Sequence, residues 1–231
     1  MTKHPLGSPY VRDQLSLRTT PLNEKRLQPE GEYVLYWMQS TQRLDDNWAL
    51  RLATLEADRI GKPLFVHHDI TPDAPYSSAR SHTFALQGAS ELATRAEELG
   101  IAYRLALPRR AGEGDALVQH LASRAALVVT DLFPTAHVPE RTAKAAAHAW
   151  CRLLAVDSVG VVASASFHKE EYAARTIRPR IMKLLELALE PVEDRIARKR
   201  MPAAVLASLD AGWLEPRRMD LADEVARCAV D

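Results

Sequence analysis

The chain has 231 residues, of which 47% are apolar and 26% charged, enough for one α/β domain with a sizeable core but not for a second large domain. Thirty Lys and Arg side chains balance thirty Asp and Glu, so no global field draws the protein to nucleic acid or to an anionic membrane. Cys151 and Cys228 stand far apart with no partner at metal-ligand spacing, which excludes a disulfide framework and a cysteine zinc site, and a reducing cytoplasm is the expected location.

Residues 1–31 carry Pro5, Pro9, Pro21 and Pro29 among scattered cations, a composition that predicts an extended arm. The β-rich run Tyr33 to Met38 predicts a central strand covered on both faces. Asp45 or Asp46 then caps a helix with Trp48, Leu52 and Leu55 on one face, ended by Gly61-Lys62-Pro63. Leu64 to His68 is the second strand. A helix over 78–99 presents Leu86, Ala89, Leu92, Ala96 and Leu99 as one stripe, and strand three covers 101–107. A short helix to Arg124 leads to strand four, 127–131. An Ala-rich helix over 139–150 precedes strand five, 152–156, with a short extension over 159–162.

From Tyr172 the chain is helical again, with Ile177, Ile181, Leu184, Leu185 and Ala188 on one face before Pro191, and two short helices are expected over 201–209 and 219–229. The alternation predicts a doubly wound, five-stranded parallel sheet over 32–190 with a helical tail over 191–231. No stretch approaches the roughly 20 apolar residues that span a bilayer, so no membrane association is expected.

In such a sheet ligands sit beyond the carboxyl ends of the strands. The segments to inspect are therefore Met38-Gln39-Ser40-Thr41-Gln42-Arg43 and Asp131-Leu132-Phe133-Pro134. The first lacks the glycines of a dinucleotide or Walker loop and offers amide, hydroxyl and guanidinium groups instead. These can orient a polar heteroaromatic ligand or a single phosphate, or they can simply cap the following helix. His67-His68-Asp69 is a weak metal candidate, because neighbouring strand residues point to opposite faces.

Several strings resemble one family in order. Tyr36-Trp37-Met38, Gln42-Arg43 and Asp46-Asn47-Trp48-Ala49-Leu50 are similar to the first strand, turn and helix of class II DNA photolyases, of the photolyase/cryptochrome group. Val128-Val129-Thr130-Asp131 with Pro134 resembles the strand before that family's D-F-S-P loop. Glu171 to Ile181 resembles its E-Y-x-A-R-T-x-R-P-K-I segment. The resemblance covers residues 32–186. It implies an N-terminal α/β domain of the type that holds a light-harvesting flavin- or deazaflavin-type pigment, without the helical domain that holds catalytic FAD. Two departures stand out: Val156-Asp157-Ser158-Val159-Gly160 replaces V-D-A-H-N, and Asp131-Leu132-Phe133-Pro134 replaces D-F-S-P.

Resemblance and strand-end geometry together nominate Met38, Gln39, Ser40, Arg43, Asp46, Asn47, Asp131, Phe133, Lys169, Tyr172 and Arg175 as ligand contacts. The leading expectation is a domain that binds a flavin-, deazaflavin- or nucleotide-like small molecule at the strand ends, without repair activity of its own. The alternatives are an enzyme that reuses the scaffold for small-molecule chemistry, and an interaction subunit whose Arg-rich 175–200 segment docks a helical flavoprotein or a second copy. Direct binding to DNA is not expected.

Overall fold

The computed structural model describes all residues except 1, 73, 75, 76, 136, 137, 210, 211, 215–219, 229 and 231. In chain order the elements are α1 (Pro9–Arg18), β1 (Thr19–Pro21), β2 (Tyr33–Met38), α2 (Trp48–Ile60), β3 (Leu64–Asp69), α3 (Ala79–Leu99), β4 (Ala102–Ala106), α4 (Glu113–Ser123), β5 (Ala125–Asp131), α5 (Val138–His148), β6 (Leu153–Val156), a 3-10 turn (Ser164–Ser166), α6 (Ala174–Ala188), α7 (Ala203–Ser208) and α8 (Leu221–Ala226).

The sheet has six strands in the order β1-β6-β5-β2-β3-β4, so the chain winds outward from β2 through β3 to β4 and then returns to the other side of β2. The five strands expected from sequence are parallel as predicted. The sixth is a correction: Thr19–Pro21 pairs antiparallel with β6. The N-terminal segment is likewise not an extended arm. Ser8 accepts a hydrogen bond from the Val11 amide and Pro9 opens α1, a placement in which proline's missing N–H costs nothing. Val11, Leu15 and Arg18 of that helix are buried. The expected strand extension over 159–162 is also absent. That segment is a loop tied by Asp157, which accepts from the Ser164 amide (2.8 Å) and hydroxyl (2.7 Å), and by buried Arg18, which donates to the carbonyls of Asp157, Gly160 and Val161.

β2 is buried along its whole length because its side chains feed two cores. Val34, Tyr36 and Met38 join one core with α1, α2 and α3, while Tyr33, Leu35 and Trp37 join the other with α4 and α5. Gly31 admits the chain to this position: a Cβ there would lie 2.2 Å from the backbone nitrogen of Ala126. α2 is held at both ends, by Asn47, whose side chain accepts from the Leu50 amide, and by Gly61 in the left-handed conformation.

The tail wraps the far side of the sheet. Leu209 is fully buried, Trp213 packs edge-on to Phe65 and His67, and the Leu214 amide bonds the Leu105 carbonyl on the outer edge of β4. α8 then lies on α3, anchored by an ion pair between Arg109 and Glu224. The helix expected over 219–229 is seen as α8, with residues 219 and 229 outside the described set. Among the described residues no helix is long and apolar enough to cross a membrane.

Candidate functional site

The winding reverses between β2 and β5, which pair in parallel with Trp37 beside Thr130. The segments that leave these strands are therefore neighbours at the carboxyl edge, where a doubly wound sheet opens a crevice. The carboxylate of Asp131 closes the mouth of that crevice. Its Oδ2 accepts from three successive amides, Gln39 (2.9 Å), Ser40 (2.8 Å) and Thr41 (2.9 Å), and its Oδ1 accepts from the Tyr36 hydroxyl (3.0 Å). Three convergent N–H groups at a strand-to-helix turn form the nest that holds a phosphate in many nucleotide-binding proteins. Here the protein's own carboxylate fills it. Burial first, and then the adjacent Asp131 charge, hold the Tyr36 phenol well above its ordinary range, so it stays a neutral donor.

Asn47 completes the latch. Its amide nitrogen donates to the Tyr36 hydroxyl (2.9 Å) and to the carbonyls of Thr41 (3.2 Å) and Arg43 (2.9 Å), while its oxygen caps α2. Gln39 donates to the hydroxyls of Thr130 and Thr142 (2.9 and 3.0 Å), linking the turn to α5. Ser40 Oγ is buried beside these groups with no hydrogen-bond partner among the described residues.

Two cavities flank the latch. The first, about 480 Å³, runs from Asp131, Leu132, Phe133 and Pro134 along Thr142, Ala143 and Ala146 of α5 to Leu22, Asn23 and Lys25 beyond β1. Its walls are mainly apolar, with one cation at the rim. The second, about 540 Å³, lies between Arg43, Asp46, Trp48 and Arg51 on one side and Ser158 to Val161 and Ala188 to Asp194 on the other. Its polar walls are largely self-paired: Arg51 bridges Asp46 and Asp194 (both 2.8 Å) and stacks over Trp48, and Arg43 donates to the Ser158 carbonyl (2.6 Å). Asp46 holds a left-handed backbone (φ 49°), fixed by these contacts.

The structure thus brings Gln39, Ser40, Asp131 and Phe133 together at one crevice and places Arg43 and Asp46 at the second cavity. Asn47 serves inside the latch, and Met38 is in the core. Lys169, Tyr172 and Arg175 are exposed and line neither cavity. Thr142, Asn23 and Lys25 escaped sequence reasoning. For Thr142 the signal was the small residues Ala143, Ala146 and Ala147 of α5, which line the same cavity, while nothing in the chain marked Asn23 or Lys25.

A second polar cluster sits at the end of β3. Asp69, fully buried, accepts from Trp37 Nε1 (2.9 Å) and from Arg141, which also bonds Asp115 (2.9 Å) and lies over the Trp37 ring. Burial alone would raise the Asp69 pKa, but Arg141, His67 and the two hydrogen bonds outweigh it and hold the carboxyl low. Gly114 makes room, since a Cβ there would meet both Asp69 and Arg141 at 2.8 Å. Burial pushes His67 and His68 down to about 4, so both rings are neutral at pH 7. They point to opposite faces: His68 bonds the Tyr103 hydroxyl (2.7 Å), and His67 packs edge-on to Trp213. Among the described residues no group of His, Cys, Asp and Glu is arranged to hold a metal. Cys151 is buried and its thiol is pushed up to about 11, as suits an inert packing residue.

Comparison with known proteins follows the same outline. The DNA photolyase family profile matches residues 34–199. The chain is 32% identical over 179 residues to the deoxyribodipyrimidine photo-lyase of Methanothermobacter thermautotrophicus, covering 77% of this chain and 39% of that protein. It is 31% identical over 193 residues to the photo-lyase of Potorous tridactylus, covering 76% of this chain and 36% of that one. Among solved structures, an archaeal photolyase from Sulfolobus tokodaii, described with two FAD molecules and a novel light-harvesting cofactor, superposes with a TM-score of 0.51 at 17% identity, over 77% of this chain and 41% of that one. This chain therefore spans about two fifths of the length of these relatives. Tail residues 200–231 fall beyond the matched family region. With its parallel sheet, its strand-one turn and these matches in agreement, the chain belongs to the DNA photolyase family.

Proposed function

We propose that this α/β domain binds a flat heteroaromatic molecule of the flavin or deazaflavin type in the cavity beside Phe133, and that these 231 residues supply ligand binding and not the repair of DNA. The carrying observation is the pairing of a filled anion nest with an open apolar cleft next to it. With Asp131 in the nest, a phosphate anchored on the turn would have to displace a buried carboxylate. A ring system entering between Phe133, Pro139 and the small residues of α5 displaces only water. At about 480 Å³ the cleft suits a tricyclic ring. Phe133 offers an aromatic face, and the Lys25 cation at the rim can meet an anionic ring oxygen or a ribityl chain. The S. tokodaii photolyase, described with two FAD molecules and the implication of a novel light-harvesting cofactor, guides the choice of probe.

Titration of the purified protein with riboflavin, FMN, FAD and a 5-deazaflavin, followed by fluorescence, is the test. The expected result is micromolar binding of at least one of them, weakened about tenfold or more by Phe133→Ala, a loss of roughly 1.4 kcal/mol, and abolished by Ala143→Trp, which fills the cleft from an exposed position. Absence of binding by all four, or binding indifferent to both substitutions, removes this reading. Repair of a pyrimidine-dimer oligonucleotide under blue light by these residues alone would overturn its second half.

A further inference from the structure

Helix α6 is unlike every other long helix of the fold. None of its 15 residues is buried, and none of its apolar side chains joins either core. Ile177, Ile181, Leu184, Leu185 and Ala188 are half-covered, but Arg178, Met182 and Leu189, at helical spacing, face outward, with Met182 and Leu189 each 60% exposed. Leu187 beside it is 53% exposed, and Val159 and Val161 across the adjoining cavity are 50% and 53% exposed. Contiguous apolar surface of this kind marks an association site more often than a solvated face.

The charges on the helix choose the occupant. Its first ten residues carry Arg175, Arg178, Arg180 and Lys183, and its last turn and exit carry Glu186 and Glu190. Arg180 is held by Glu171 (2.7 Å) and Glu190 lies 3.5 Å from His4, but no ion pair among the described residues engages Arg175, Arg178, Lys183 or Glu186. A helix basic at its start and acidic at its end is complementary to itself when reversed. We infer that α6 is the contact between two copies of this chain, paired antiparallel about a twofold axis at Met182.

An isologous contact places residue i of one copy against residue j of the other and j against i. With Met182 on the axis, Arg178 of each copy faces Glu186 of its partner, and Leu189 covers the aliphatic stem of Arg175. Leu185 lies over Pro179. Parallel pairing would oppose cation to cation and acid to acid. A helix of 15 residues is about 22 Å long at 1.5 Å per residue, so the contact buries on the order of 1,000 Å² in total, the lower limit for a specific interface. The dimer is accordingly weak, with a dissociation constant of about 10–100 µM.

Sedimentation equilibrium from about 1 to 500 µM at low salt tests the pairing, with circular dichroism as the check on folding. The wild-type chain is expected to dimerise in that range. Arg178→Glu and Glu186→Arg should each weaken dimerisation about tenfold by setting like charges face to face, and the double reversal should restore it to within about threefold of wild type. Both positions are exposed, so the variants fold as the parent does. A chain that stays monomeric to the top of the range overturns the inference. A dimer insensitive to either single reversal, or a double reversal that fails to recover, places the contact elsewhere and overturns it equally.

Discussion

Two buried aspartates stand at the same edge of the sheet, Asp131 at the end of β5 and Asp69 at the end of β3, and they are satisfied in opposite ways. Asp131 is surrounded by neutral donors, three amides and a phenol, that belong to the turn it organises. Asp69 is neutralised by Arg141, a guanidinium only 8% exposed, brought in from α5 and braced by Asp115 and the Trp37 ring. One carboxylate shapes a loop. The other balances a charge and pins a helix to the sheet. Dipoles are local and rebuild with the chain, whereas a buried cation is left stranded when its partner goes.

The difference is open to direct attack. Asp69→Ala leaves Arg141 unpaired in the interior and should cost about 3–5 kcal/mol in urea unfolding, while the double change Asp69→Leu with Arg141→Met should recover much of that loss. If the single and double variants are equally destabilised, the pair is not what holds α5.

Acid tests the same corner through His67. Its folded pKa of about 4 lies below the value near 6.5 expected in the unfolded chain, so the unfolded state binds the extra proton first. Stability is complete above about pH 6.5, declines as pH falls, and has lost about 3 kcal/mol on account of this ring once below about pH 4. His68, on the opposite face, adds a loss of the same sign. His67→Leu should remove roughly half of this acid slope and change stability at pH 7 by less than about 1.5 kcal/mol, since neither ring nitrogen has a partner to lose. An unchanged slope in the variant would mean that the ring is not buried as described.

The effect expected at the latch is smaller than that at the ion pair. Asp131→Ala orphans three amides at a partly wet turn, a loss of about 2 kcal/mol, and the emptied nest should now accept sulfate, which recovers part of the stability as its concentration rises. Sulfate should do nothing for Asp69→Ala. Equal recovery in both variants would erase the distinction between the two aspartates.

The sheet was legible in the sequence because its strands are unbroken apolar runs and its helices are punctuated by Gly61, Ser78 and Gly100, although the cap of α2 is Asn47 and not the expected Asp45 or Asp46. What went unread was written in weaker signals. α1 has little apolar periodicity and buries Gln14 and Arg18, so its start signal, Ser8 followed by Pro9, stood among prolines that suggested an arm. β1 is three residues ending in Pro21, a length and composition found at sheet edges and recognisable only beside the strand it joins. The candidate site was half legible. The strand-end rule found Gln39, Ser40, Asp131 and Phe133, but nothing in the chain announced that Asp131 would fill the turn itself. That contact joins residues about 90 positions apart and depends on the return of β5 to the flank of β2.

The way the tail meets β4 has a consequence for how the molecule behaves in a crowd. Leu214 docks on that margin and the opposite margin ends in the short, proline-terminated β1, so neither side offers a long ladder of free amides and carbonyls on which another polypeptide could template itself. Fibril-like growth through the sheet is thereby disfavoured at both ends, and encounters between molecules are steered toward the helical surfaces, where they can be reversible.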